Sequence, residues 1–414
     1  MLPAHKKKLP GRTPAPAVSV GRRVILLGTT VHFQLRYHAG LVEKLTEEGW
    51  HVHVVSSDGA WLERMSQVEH VVVHVVDMAR EPSVWSDARA LLEWLTILRR
   101  VRPDISFIGT PKAALLGNIA SSVLGVPTRI YELHGLRLEG ATGVGRHLLT
   151  LIERITCTLA TRVVAVGPSL AQAAVAARVV KPSRVEVLGA GSPNGVPVEE
   201  IGRASRDAAR LAELRTAHGI RADELVIVYV GRIARDKGID VLLSAGTLLA
   251  GAGHVVRTIL VGPVEDEAVR DQVAKTERTS HRVTLVGEAD NVADYLGIAT
   301  VFCLPTKREG LPTVVLEAFA ARVPVVSTRA TGVVDLVRHE ETGLLSDIGD
   351  PVGMSLNIAR IASDANLRAS LTANAHNLVT REFDTKLVHK RYLDYLEACE
   401  DHRRRTSSRG GFSA

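Results

Sequence analysis

Two glutamates eight positions apart, Glu309 and Glu317, flank a glycine-proline turn in the stretch CLPTKREGLPTVVLEAFAAR, residues 303–322. An ionised carboxylate accepts hydrogen bonds and repels phosphate, so each glutamate suits hydroxyls such as those of a sugar or a ribose. The turn Gly310-Leu311-Pro312, followed by Thr313, opens a helix whose first amides and positive dipole end attract an anion. Gly310 leaves room for a ligand against the backbone. Hydroxyl acceptors around an anion site fit a nucleotide sugar. Spacing alone fits two solvated charges on a surface helix at least as well.

Further chemistry lies upstream. The strand Leu225 to Val230 ends at Gly231-Arg232, with Asp236-Lys237-Gly238 just beyond. The planar fork of arginine and the compact charge of lysine together suit a diphosphate, although two surface cations would look the same. His134 stands at a strand end in IYELHGLRLEG. A lone histidine is ordinarily a packed or solvated residue, and its place before a glycine at a strand end favours function. Gly28, with Thr29 and Thr30, closes the apolar run RVILLGTT and is expected to face a cleft as a donor-binding residue. The fingerprint of three spaced glycines is absent there, so a dinucleotide site is not expected.

Three blocks in order carry a resemblance: Gly231-Arg232 with Asp236-Lys237-Gly238, then Glu309-Gly310-Leu311-Pro312 with Glu317, then PVVSTRATGVVDLVRHEETGLL from Pro324 to Leu345. Together they resemble the retaining family 4 glycosyltransferases, and the HGL segment at His134 resembles the branch that builds capsular and lipid-linked oligosaccharides. The resemblance implies two facing Rossmann-like domains with a cleft between them, the glycosyltransferase B-type fold. It implies transfer with retention from a nucleotide sugar, a UDP-sugar, to a glycan or polyprenyl-linked acceptor. His134 and Glu309 become the catalytic candidates, His134 facing the donor sugar. Gly28, Gly231, Arg232, Lys237, Gly310, Leu311, Pro312, Thr313 and Glu317 become the donor-binding ones. The alternatives are a nucleotide-sugar epimerase of the same fold, for which no acid/base block is present, and glycosylation of a small-molecule acceptor.

The elements that must position these residues follow from the apolar pattern. Strands at Arg23 to Gly28, His51 to Ser56, Asp104 to Gly109, Val163 to Val166 and Val185 to Leu188, with another led into by Gly125 to Tyr131, alternate with helices, an α/β order that implies parallel sheets with ligands at the carboxyl ends of the strands. Helices are expected at Ala39 to Glu48, Trp85 to Arg102 (with Leu91, Leu92, Leu95 and Leu98 inward), Ala113 to Leu124, Val144 to Ala160 and Glu199 to His218. The helix carrying Trp85 reads as plainly packed rather than membrane-bound. The run Gly189 to Pro197 is a hinge by composition. The expected division is a basic disordered tail over 1–20, an acceptor domain over 21–192 joined by a returning helix over 386–402, a nucleotide-sugar domain over 193–385, and a disordered tail over 403–414.

At 414 residues, 46% apolar and 23% charged, the chain has the composition of a globular protein large enough for two domains. No apolar run reaches the roughly eighteen residues of a membrane span, and no signal peptide is evident, so a cytoplasmic place is expected. The net charge of +6 matches Lys6, Lys7, Lys8, Arg12, Arg22 and Arg23 near the start, and Arg403, Arg404, Arg405 and Arg409 add to the end. Such ends could touch the inner face of an anionic membrane or merely solubilise the chain; no nucleic-acid partner is expected. Cys157, Cys303 and Cys399 are far apart, and no Asp-x-Asp pair or Cys/His cluster occurs. No metal and no cofactor is expected.

Overall fold

Short runs of valine, isoleucine and leucine, each ended by a small residue or turn, become parallel strands in two sheets. The computed structural model describes residues 23–78, 83–276 and 281–410. The first sheet contains β1 (Arg23–Gly28), β2 (Trp50–Ser56), β3 (Val71–Val75), β4 (Ile105–Gly109), β5 (Thr128–Leu133), β6 (Arg162–Ala165) and β7 (Val185–Glu186), in the order β3-β2-β1-β4-β5-β6-β7. The second contains β8 (Leu225–Val230), β9 (Val256–Val261), β10 (Arg282–Gly287), β11 (Val301–Leu304), β12 (Val325–Thr328) and β13 (Leu344–Ser346), in the order β10-β9-β8-β11-β12-β13. Chain order reverses between β1 and β4 and again between β8 and β11, which are the places where open parallel sheets leave a crevice for ligands.

Helix Val84–Val101 packs on the first sheet through Ala90, Trp94 and Leu98, all buried. Leu91 and Leu95 are partly buried as expected, but Leu92 is 64% exposed, because its position on the wheel points away from Trp94. Three other expectations change. The polar stretch 199–218 is two helices, Val198–Ala204 and Ala208–Ala217, because the Asp207 carboxylate caps the second by accepting from the Arg210 amide. The strand expected through Leu188 ends at Glu186. The tail expected to be disordered from 403 is helical to Gly410, part of helix Thr385–Gly410, where Arg403 and Arg404 pair with Glu400 and Arg403 also reaches Asp104. Residues 1–22, which hold the expected basic tail, lie outside the described residues.

Two passages cross between the sheets, and they run side by side. The Val196 amide donates to the Phe383 carbonyl, the Thr385 amide donates to the Val196 carbonyl, and Val196 bridges Asp384. Gly195 at φ +66 lies so close that a Cβ there would meet the Phe383 carbonyl oxygen at 2.5 Å. Helix Thr385–Gly410 then returns onto the first sheet, with Val388, Tyr392, Leu396 and Cys399 in the core beside Ile25 and Phe107.

Candidate active site at the seam between the sheets

The site forms where the carboxyl-end loops of the two sheets meet. Helix Thr313–Ala320 starts behind Pro312, a cap residue whose side chain makes no capping bond, so its first amides are left for an anion. In the loop before it, the Lys237 ammonium lies 2.6 Å from a Glu309 oxygen, both side chains largely buried. Arg232 pairs with Glu265 and Asp236 and is half-buried. The cations expected to hold phosphate are therefore present, each already held by a carboxylate.

Gly310 does not contact open space. A Cβ there would sit 1.9 Å from the His134 carbonyl oxygen, and one on Gly135 would lie 3.9 Å from the Gly310 amide nitrogen. The glycine expected to admit a ligand instead admits the backbone of the opposite domain. Leu311 and Pro312 are buried in the same seam, while Thr313 and Glu317 are half-buried. Burial pushes the Glu317 carboxyl up to about 7, and the Arg36 guanidinium on the opposite domain draws it partly back.

His134 is held from behind by Glu132, a carboxylate with no exposure in the middle of an apolar strand end. One Glu132 oxygen lies 2.8 Å from Nε2 of both His134 and His38, and the Tyr392 hydroxyl of the returning helix donates to the other at 2.7 Å. Burial alone would raise that carboxyl. The imidazoles of His134 and His38 win, holding it well below the usual carboxylate range. Because an ionised carboxylate only accepts, both imidazoles carry a proton on Nε2, which leaves Nδ1 of His134 for other work. His38, Glu132 and His134 have the composition of a metal site, with ligand atoms within 4.8 Å of one another. An ion bonded at about 2.1 Å to each would hold those atoms about 3 Å apart or more, so the 2.8 Å spacings are those of hydrogen bonds.

Not every expected residue joins this centre. Gly28 is buried under the sheet, where a Cβ would meet the Trp94 ring at 2.6 Å, so its missing side chain serves packing. Thr30 bonds Thr110, and Thr29 bonds Ser56. Gly231, at φ +146, caps β8 over Tyr229, whose hydroxyl donates to the Arg232 carbonyl.

Other residues at the seam carried no signal of their own in the sequence. The Ser169 amide and hydroxyl donate to Asp335 across the seam, and the Gly332 amide donates to the Ser169 oxygen. Thr331 likewise donates to Glu139. Glu132 did leave a trace, since an acid inside an apolar strand must find buried partners.

Comparison with known proteins identifies the family and the fold. The family described as "Glycosyl transferase 4-like domain" matches residues 35–191, and that described as "Glycosyl transferases group 1" matches residues 212–378. The capsular polysaccharide biosynthesis glycosyltransferase CapM of Staphylococcus aureus is 32% identical over 360 residues, 87% of this chain and 93% of the relative. The UDP-Gal:alpha-D-GlcNAc-diphosphoundecaprenol alpha-1,3-galactosyltransferase of Escherichia coli is 22% identical over 314 residues, 75% of this chain and 79% of the relative. The fold is similar to that of Anabaena Alr3699/HepE, solved in complex with UDP-glucose, with TM-score 0.74 at 20% identity over 91% of this chain and 99% of that one. Both halves are matched in order and one relative aligns along nearly the whole length, so the chain belongs to the group 1, family 4-like glycosyltransferases and has their two-domain B-type fold.

Proposed function

We propose that the enzyme transfers a hexose, with retention, from a UDP-sugar to a polyprenyl-linked glycan acceptor at a membrane surface, without a metal ion. The observation that carries this reading is the convergence of Glu309, Lys237 and His134 on one seam, with Gly310 packed against the His134 carbonyl. The donor and acceptor chemistry is supported by the E. coli relative, named for UDP-galactose and a diphosphoundecaprenol acceptor, and by the UDP-glucose complex of HepE.

Donor binding must then separate Lys237 from Glu309. The ammonium turns to the diphosphate, where Arg232 and the first amides of helix Thr313–Ala320 add donors. The freed Glu309 accepts from hydroxyls of the transferred sugar. As the bond between the anomeric carbon and the diphosphate breaks, its electron pair leaves with the phosphate oxygen, the acceptor hydroxyl bonds to the same face of that carbon and gives its proton to the departing diphosphate, and these pre-aimed donors stabilise the growing charge. His134 lines the sugar's side of the seam. Glu317, deeper in the helix, accepts from the ribose.

Glu309→Ala tests the reading. It should lower kcat by at least about a hundredfold, a loss typical of removing a contact made in the transition state, while UDP affinity holds because Lys237 is released. Lys237→Ala should weaken UDP binding by about 1.5–3 kcal/mol. Release of UDP from UDP-sugars, with calorimetry for free UDP, reads both, and activity should survive EDTA. Near-normal turnover of Glu309→Ala would refute the catalytic assignment.

A further inference from the structure

Helix Gly143–Leu159 packs on the protein by one side and carries an apolar row on the other. Glu153, Thr156 and Cys157 face the protein and are buried. On the outer side Val144, Leu148, Leu151 and Ile155 are 86, 57, 53 and 42% exposed. At 100° per residue these four fall within about 60° of one another, a continuous stripe along the helix. Isolated exposed apolar residues are ordinary, but an aligned row on an outer helix face marks a surface that something covers.

Charge identifies the occupant. The acids between Pro111 and Val185 are Glu132, Glu139 and Glu153. Glu132 and Glu153 are buried, and Glu139 is half-buried and accepts from Thr331. The exposed charged residues of that segment are Arg137, Arg146, Arg154, Arg178 and Lys181, all basic. An apolar stripe flanked by Arg154, in a segment with no exposed acid, complements an anionic bilayer. A second copy docked by a two-fold axis would bring two copies of that basic edge together. No described helix is long and apolar enough to cross a membrane, so the contact would lie along the surface.

The stripe is also placed to matter. It begins at Val144, just after Gly140, against which Arg308 of the second domain lies, and this loop leads back to His134. We propose that the outer face of helix Gly143–Leu159 seats the enzyme on an anionic membrane, with Val144, Leu148, Leu151 and Ile155 entering the headgroup boundary and Arg154, about 90° around the helix from the centre of the stripe, meeting anionic headgroups at its edge. The seam then opens at the surface that carries the acceptor's pyrophosphate. This rests on the membrane-borne acceptor proposed above, and the two are tested separately: vesicle binding is measured without sugar, and UDP release without vesicles.

The experiment is flotation of the full chain with vesicles of phosphatidylcholine alone or with about a quarter phosphatidylglycerol. The wild type should float with the anionic vesicles at low salt and be released at high salt. The double variant Leu148→Glu, Leu151→Glu should bind at least about tenfold more weakly, with unchanged UDP release in the absence of vesicles. A single Leu151→Trp should blue-shift on anionic vesicles and be quenched by brominated lipid. No flotation of the wild type, or equal binding of the double variant, would overturn the proposal. So would a wild-type dimer in sedimentation that the double variant dissociates, since the stripe would then belong to a second copy.

Discussion

Glu317 and Glu309 are both carboxylates of one loop-helix unit, yet their surroundings separate them. Burial raises Glu317 to about 7 from an ordinary 4.5, so the folded protein holds that proton more tightly than the unfolded chain does. Sign follows: the burial cost is absent at pH below the ordinary value and grows as pH rises towards 7. In the proposed site, ribose hydroxyls donating to Glu317 would favour its ionised form. UDP affinity should therefore rise between about pH 6 and pH 8, and Glu317→Gln should flatten that rise while weakening binding at pH 8 by about 1–3 kcal/mol. Calorimetry of both proteins across pH checks it, the titration of UDP itself being common to both; equal slopes would remove Glu317 from the ribose. His134 depends on Glu132 and Tyr392 for its position. Tyr392→Phe removes only the hydroxyl that Glu132 accepts, leaving the ring against Phe107. It should lower kcat roughly tenfold, with UDP affinity unchanged, by loosening the imidazole. In a His134→Ala background it should cost nothing further, whereas a purely structural role would lower activity equally in both backgrounds.

Among the elements, β1 and helix Val84–Val101 show how a position that reads as binding can be packing. A glycine at the carboxyl end of the first strand resembles a phosphate-loop residue, but Gly28 faces the buried Trp94 ring. Gly28→Ala should overpack this contact and destabilise the protein by about 1–3 kcal/mol, visible as a lower Tm, with UDP affinity unchanged. Lost UDP affinity at unchanged Tm would return Gly28 to the donor site. Gly310 is a second such case just before helix Thr313–Ala320, where closeness to the His134 carbonyl demands glycine.

The whole molecule is two sheets joined by paired crossings at Val196 and Asp384 and touching at the seam. Crossings behind and contacts in front are the arrangement from which a hinge opening of the seam is predicted. Ser169 supplies an amide and a hydroxyl to Asp335, whose carboxyl burial raises above its usual range despite those donors. Asp335→Ala should shift the population towards the open form by about 1.5–3 kcal/mol, the scale of hydrogen bonds to a charged group. Small-angle scattering should then give a larger radius of gyration without ligand, and KM for the donor should rise more than kcat falls. An unchanged scattering curve would show that other contacts hold the seam.

Much of this architecture was legible in local order. Alternating apolar strands and helices require parallel sheets, and Gly231-Arg232, Lys237 and Glu309 to Glu317 mark the loops at their carboxyl ends, because strand, turn and helix-start signals act within a few residues. Such neighbours place the donor-side candidates on those loops, while their proposed roles came from the family resemblance. What the tertiary structure decided depends on residues far apart in the chain: Glu132 bound by His38 and Tyr392, Ser169 by Asp335, Gly28 filled by Trp94, and the outer stripe of helix Gly143–Leu159 left uncovered. An apolar row along a helix reads as its buried face from periodicity, and only the placement of neighbouring elements determines which side they leave open.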